Sequence, residues 1–399
     1  MMFSGFSSIY GGHQPVSRRT LLRNGGAGLA ALSLASSPAL ARALGLQPGE
    51  EVVPWDDRRP ENPMPDVIRN QPHWEELDSW ITPNARFFGI SRYEYVPEID
   101  AADWRLRVGG LVQDPMTLDL DEIRDRPREE VTALIDCAGT HGLPFLDAGV
   151  GNARWAGTPL AQLLEEAGID DDAVEIVFFG ADRGEEEVHG VTTEENFARS
   201  MSVADAMNAG ALITYEMNGE DLPARNGYPV RLVVPGWYGM ASVKWLERIE
   251  AHATPYMGRF QADEYVTLRA REEDGTTLWT RNQIDRYRLK SVPARVTELD
   301  GAYRIHAAAW GGDIDRVEIR VDDGDWHAAD RVEPEEDADH AWTFWSLDWD
   351  GAEAGEHAIT ARAIDTDGNV QPTPDDPEIA DKHTYWETNA QVTRRIVIA

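Results

Sequence analysis

Hydrophobic and polar positions alternate in several short runs. Trp104-Arg105-Leu106-Arg107-Val108 places apolar side chains on one face and arginines on the other, and Gly109-Gly110 ends it. That period of two predicts a half-buried strand. Val174 to Phe179 and Tyr228 to Val234 are nearly continuous apolar runs, the second closed by Pro235-Gly236, and predict buried strands. Thr158-Pro159 followed by Leu160, Leu163, Leu164 and Gly168 predicts a short amphipathic helix. Thr158 would be its N-cap, Pro159 its first turn, and Gly168 would lie just past its end. Ser202 to Met207 predicts a second short helix. Residues 81–290 therefore mix short strands with short helices.

The pattern changes near 290. Val317, Ile319 and Val321 alternate with charged residues, and Asp322-Asp323-Gly324-Asp325 has hairpin-turn composition. Ile359 to Ile364 and Arg395 to Ile398 repeat the alternation. Residues 291–399, about 100 positions of this kind, predict an immunoglobulin-like β-sandwich. Residues 44–80 are polar, carry several Pro and Trp, and read as an irregular lead-in. The expected fold class is α+β.

Charge narrows the functions open to this fold. The 399 residues include 71 Asp or Glu against 37 Lys or Arg, a net charge of -34. A field this negative repels phosphate backbones and anionic membrane surfaces, so nucleic acid is not the expected partner. The acid is not gathered in a tail but spread along residues 50–399, and only Lys244, Lys290 and Lys382 are lysines. That composition suits a surface solvated in high salt. With 42% hydrophobic residues and 14 Trp, the chain can fill a core without disulfides. Cys137 is the sole cysteine, which excludes an intramolecular disulfide, iron–sulfur clusters and haem attached through Cys-x-x-Cys-His. No haem is expected.

Ser17-Arg18-Arg19-Thr20-Leu21-Leu22-Arg23 is a twin-arginine pattern. The weakly apolar stretch Gly25 to Ser36 follows, and Ala39-Leu40-Ala41 or Ala41-Arg42-Ala43 offers a cleavage site. Residues 1–43 are therefore expected to be a signal for export of a folded protein to a periplasmic or extracellular space. They hold four Arg and no acid, so their removal would shift the charge from -34 to -38. No segment approaches the length of a membrane span, and no stable membrane insertion is expected.

Two local features could carry chemistry. Leu134-Ile135-Asp136-Cys137-Ala138-Gly139-Thr140 runs an apolar strand into a cysteine followed by small residues, which leave room for a bulky ligand. On spacing alone, a buried structural cysteine is the favoured reading. The second feature is Asn226-Gly227-Tyr228-Pro229-Val230-Arg231-Leu232-Val233-Val234-Pro235-Gly236, with Lys244 lying 13 residues beyond Arg231. Two cations near one strand end suggest a held anion. Lysine is so scarce that Lys244 reads as functional, whereas Arg231 could equally pair with a carboxylate.

Taken together, these segments resemble the sulfite oxidase family of molybdenum–pterin enzymes over about residues 80–399. The resemblance rests on Ile81-Thr82-Pro83-Asn84, Gly109-Gly110-Leu111-Val112, Cys137-Ala138-Gly139 and Gly151 to Gly157. It continues through Phe179 to Asp182, Tyr215 to Glu220, the Asn226–Gly236 run and Val243 to Leu246. The wording is most similar to the sulfite and sulfane dehydrogenase branch. It implies a molybdopterin domain of mixed sheets over 81–290 and a dimerisation domain over 291–399, hence a homodimer. It also implies Cys137 as the molybdenum ligand. Phe88, Ser91, Arg92, Asp182, Asn226, Arg231, Ser242, Val243 and Lys244 fall where the family contacts the pterin and its phosphate. Tyr265 falls at an active-site tyrosine.

Departures bear on substrate. Ile90 stands where the family has a sulfite-binding arginine, Arg92 where it has a histidine, and Thr140-His141-Gly142 replaces its usual Asn and Arg. Arg92 and His141 are the candidates to take over those charges. The expected activity is oxidation of sulfite or a related sulfur compound, with electrons leaving to a separate small copper protein or cytochrome. Reduction of a sulfoxide or another oxyanion is the alternative. A non-enzymatic extracellular binding protein built on the sandwich is the third reading.

Overall fold

The computed structural model describes residues 49–399, so the twin-arginine segment lies outside the described residues. Two sheets build the first half. In one, Glu129–Asp136 pairs with Val150–Pro159, which pairs with Leu212–Met217, and that strand also carries Arg231–Val233. In the other, Leu106–Gly110 runs parallel to Leu246–His252, which pairs antiparallel with the long strand Glu175–Val188. The core between them gathers Leu106, Ile123, Leu160, Phe178, Ile213 and Ile249, all essentially inaccessible to solvent. The helix Leu120–Arg124 starts with a reciprocal cap between Asp119 and Glu122. No helix among the described residues is long and apolar enough to cross a membrane.

The helix Leu160–Ala167 ends on Gly168 at φ 65°, as its spacing predicts, but its start differs. Thr158 is not its N-cap. The strand Val150–Pro159 continues through Thr158, whose hydroxyl donates to the Ile123 carbonyl at 3.1 Å. The predicted strand Tyr228 to Val234 shrinks to Arg231–Val233.

The second half is a sandwich. One sheet orders Lys290–Leu299, Ala302–Trp310 and Thr343–Trp349; the facing sheet orders Ile314–Val321, Gly355–Asp365 and Val392–Ile398. Val296, Ile305, Val317, Ile319, Ile359 and Ile396 fill the space between them.

The lead-in is not irregular throughout. Glu51–Val53 adds a strand to the edge of Lys290–Leu299, and Trp55 donates to the Ala294 carbonyl at 3.2 Å. Trp74, Leu77 and Trp80 then form a bridging core with Leu134 and Val150 of the first half and Val292, Trp310 and Trp342 of the sandwich. Trp80 and Trp342 exchange indole hydrogen bonds with each other's carbonyls, at 3.1 and 2.9 Å. A polar, Trp-rich segment thus joins the two halves, because each indole buries its rings and still finds an acceptor.

Candidate active site

The strand Glu129–Asp136 delivers Cys137 into a cleft lined also by Phe88, Asp182, Arg231 and Lys244. The Cys137 amide donates to the Gly149 carbonyl at 2.8 Å, and the Gly139 amide approaches its sulfur at 3.4 Å. Cys137 keeps partial exposure to the cleft. Burial among the apolar walls pushes its thiol up to about 12, with the Gly139 amide opposing. A metal that binds this sulfur must displace its proton.

Two buried cations share the cleft. Arg231 donates to the carbonyls of Leu232, Asn226 and Ser242 at 3.3, 2.9 and 2.8 Å and lies against the Trp155 ring. Lys244 donates to the carbonyls of Ile90 and Arg225 at 2.7 and 3.1 Å and sits 3.9 Å from the centre of the Trp245 ring. Among the described residues no carboxylate forms an ion pair with either, so the carboxylate-paired reading of Arg231 does not apply. Burial pulls Arg231 down to about 9 and Lys244 to about 7, while the Asp182 charge supports that of Lys244. Gly227, at φ 114°, lets the chain turn here, where a Cβ would crowd the Cβ atoms of Arg231 and Lys244.

Tyr265 follows the single π-turn Phe260–Glu264 and lines the same cleft. It is not a mid-strand residue; the strand Val266–Glu273 begins after it. Its ring meets Trp386 at 4.7 Å between centres. Burial raises its phenol well above the ordinary value. Arg92 approaches the Tyr265 ring at 5.7 Å and donates to Glu264 at 2.6 Å.

The cleft thus brings together Phe88, Arg92, Cys137, Asp182, Asn226, Arg231, Ser242, Lys244 and Tyr265. Ser91 and Val243 are buried beside lining residues but do not line it. His141 does not join it. The turn after Cys137 closes through Thr140 N–H to Cys137 O and Gly142 N–H to Gly139 O, and His141 takes φ 63°. This puts its ring in a separate cavity with Arg59, Asp147 and Arg394. Burial holds its imidazole well below the usual value.

Sequence reasoning missed Arg199. This arginine is 2% exposed, donates to the carbonyls of Phe260 and Ile284, the latter at 2.8 Å, and lies 5.8 Å from the Tyr265 ring centre. It staples both legs of the segment that carries Tyr265. An arginine in an alternating strand reads as outward-facing, so nothing local marked it. Ile90, expected at the substrate site, does face the cleft, and so does Met240, which nothing in the sequence marked.

These residues fit a molybdenum–pterin group. The cleft holds a thiol and two cations without carboxylate partners. The acceptor atoms Asp182 Oδ1 and Asn226 Oδ1 are buried without hydrogen-bond partners. Unsatisfied buried acceptors are costly unless a ligand supplies donors, as the edge of a pterin does.

Residues 93–260 match the oxidoreductase molybdopterin binding domain, and residues 289–386 match the Mo-co oxidoreductase dimerisation domain. Cleft and sandwich are therefore the two parts of a molybdopterin oxidoreductase. Sulfite oxidase of Arabidopsis thaliana is 31% identical over 336 residues, covering 74% of this chain and 83% of the plant protein. Mitochondrial sulfite oxidase of Drosophila melanogaster is 29% identical over 333 residues, and the alignment spans 74% of this chain but only 56% of the fly protein. The crystal structure of the sulfane dehydrogenase SoxCD from Paracoccus pantotrophus superposes with a TM-score of 0.68 at 26% identity, covering 87% of this chain and 91% of that one. The chain belongs to the sulfite oxidase family of molybdopterin-dependent oxidoreductases.

Proposed function

We propose that the protein is an exported molybdenum–pterin enzyme that oxidises sulfite or a related sulfur compound and passes electrons to a separate carrier. The observation that carries this reading is the cleft with Cys137 and the buried cations Arg231 and Lys244, neither of them in an ion pair among the described residues. When bound, the molybdenum group supplies oxygen-atom transfer and exchange of two electrons.

The residues then divide the work. Cys137 holds the metal through a soft thiolate, which suits a high-valent oxo-metal. Arg231 and Lys244 neutralise the pterin phosphate, and burial strengthens that attraction. Asp182 and Asn226 accept hydrogen bonds from the pterin, Phe88 and Ser242 wall it in, and Ser91 and Val243 set the backbone beside them. Tyr265 stays protonated at neutral pH, because burial raises its phenol, and therefore serves as a hydrogen-bond donor. Arg92 orients substrate from a position fixed by Glu264. His141 has no part in this scheme.

The twin-arginine segment supports export, and the acidic composition supports a salty extracytoplasmic setting. The match to a dimerisation domain supports a homodimer. The partner carrier fits a small copper protein or cytochrome, since the chain has no second redox motif.

A reductase of sulfoxides or another oxyanion is the second reading. Arg92 is neutralised by Glu264, and Ile90 gives the cleft an apolar wall, so a neutral substrate is also accommodated. A non-enzymatic binding role has no observation in its favour. The deciding experiment measures molybdenum per chain in protein exported by its native host. It then assays sulfite, thiosulfate-derived species and sulfoxides with an artificial electron acceptor or donor. Sulfite-dependent acceptor reduction is expected. Protein without molybdenum would overturn both readings, and sulfoxide turnover without sulfite turnover would select the second.

A further inference from the structure

The residue before Cys137 is tied to the sandwich. Asp136 is fully buried, and its Oδ2 lies 3.6 Å from Lys290 Nζ, itself 1% exposed. Trp310, paired with Lys290 in strand register, donates its indole N–H to that same oxygen at 3.1 Å. Lys290 Nζ also lies 3.5 Å from the Thr140 carbonyl, so it spans the turn that has Cys137 inside it. From another direction Glu387 N–H donates to the Ala138 carbonyl at 2.6 Å. Gly239 N–H donates to the Asp136 carbonyl at 2.7 Å.

We infer that Lys290 and Asp136 form a charge pair that positions the metal-ligating loop and sets the electrostatic field at Cys137. Lys290 is the positioning residue, supplied by the C-terminal sandwich. This rests on Cys137 being the molybdenum ligand.

A buried ion pair adds little net stability, and apolar residues of similar volume often replace one at no loss. Retaining it therefore points to what its charges do. The chain keeps only three lysines, and this one is buried beside the thiol-bearing turn. The carboxylate adds negative charge next to a thiolate that already donates charge to the metal, and the ammonium offsets it. Each charge alone shifts the metal in a defined direction. A negative charge favours the oxidised metal and a positive charge the reduced one.

The test uses the holoenzyme. Molybdenum content of the unaltered protein is measured first. Reduction potentials of the metal are then titrated in Lys290→Met, Asp136→Asn and the double variant. Lys290→Met leaves the carboxylate uncompensated and is expected to lower the potential. Asp136→Asn leaves the ammonium uncompensated and is expected to raise it. The double variant is expected to return close to the unaltered value. A purely structural pair would shift both single variants the same way or neither, and that result overturns the inference. Should Lys290→Met not accumulate, the isosteric Asp136→Asn and the double variant decide by rise and return. An unaltered protein without molybdenum would instead overturn the ligand reading of Cys137.

Discussion

Arg92 Nη2 donates to Glu264 Oε1 at 2.6 Å, and Arg259 reaches the other oxygen of the same carboxylate at 3.5 Å. Arg259 also pairs with Glu186, so Glu264 is left mainly to offset Arg92, whose charge at the wall of the cleft is largely neutralised before any substrate arrives. Glu264→Gln keeps the shape and releases that charge. For an anionic substrate such as sulfite, KM is expected to fall by roughly tenfold, equivalent to about 1.4 kcal/mol, with kcat little changed. Arg92→Met is expected to raise it. Steady-state kinetics on both variants check this, and an unchanged sulfite KM in Glu264→Gln would show that Arg92 does not meet the substrate.

Cys137→Ser retains nearly the same volume and the amide bond to Gly149, so the chain is expected to fold with an unchanged melting temperature. A hydroxyl is a far weaker soft-metal ligand than a thiolate. Molybdenum per chain and the proposed sulfite-dependent reduction of an electron acceptor are both expected to fall severalfold or more. Elemental analysis alongside circular dichroism separates metal loss from misfolding.

Most of the cleft residues were legible only through the family resemblance; composition alone marked one of them. In a chain that has nearly discarded lysine, Lys244 stood out, and it lies in the cleft beside Arg231. The same argument applies to Lys290, which went unremarked because its partner Asp136 lies 154 positions earlier and no local pattern joins them. Arg199 stayed hidden for a related reason. Its acceptors are carbonyls at 260 and 284, which only the folded chain brings together. The sandwich strands were visible as alternation, but the edge strand Glu51–Val53 was not. Three residues carry no period, and their order comes from pairing with Val296, Thr297 and Glu298. Thr158 misled through its side chain, whose capping chemistry was satisfied by Ile123 instead.

Lys244 and Asp182 give the metal-free chain a pH signature. Burial lowers Lys244 to about 7, below its unfolded value. Between about pH 7 and about pH 10 the unfolded chain holds a proton that the folded chain lacks, so this contribution to stability rises with pH. Burial raises Asp182 to about 7. Between about pH 4 and that value the folded chain holds the extra proton, so its contribution falls as pH rises. The two together place a minimum near neutrality. Melting temperatures of cofactor-free protein across that range are expected to show it. Lys244→Met should abolish the upper rise and, because the Lys244 charge holds Asp182 down, extend the lower fall to higher pH, and a profile unaltered by that substitution would remove Lys244 as its source. Cofactor retention should weaken in the same variant, because the pterin phosphate loses one of the two cations proposed to hold it.

Gly142 tests how firmly the loop after Cys137 is held. It is a glycine for space and not for backbone freedom: a Cβ there would overlap the carbonyl oxygen of Tyr385. The Tyr385–Glu387 segment cannot retreat easily. Trp386 packs its ring at a tilt against Tyr265, Lys382 donates to the Trp386 carbonyl at 2.9 Å, and Glu387 accepts from Thr267 at 2.6 Å and Arg288 at 3.2 Å. The loop must therefore move. Gly142→Ala is expected to cost about 1–3 kcal/mol, the usual penalty of overpacking. It should also lower molybdenum content, because the displaced loop carries Cys137, the proposed ligand. Gly139→Ala is the control. Its Cβ would meet Leu146 and Trp386 at 3.4 Å, an ordinary contact, so melting temperature and metal content should stay near those of the unaltered protein. Loss of stability in Gly142→Ala with full metal content would mean that the C-terminal segment yields and the loop does not.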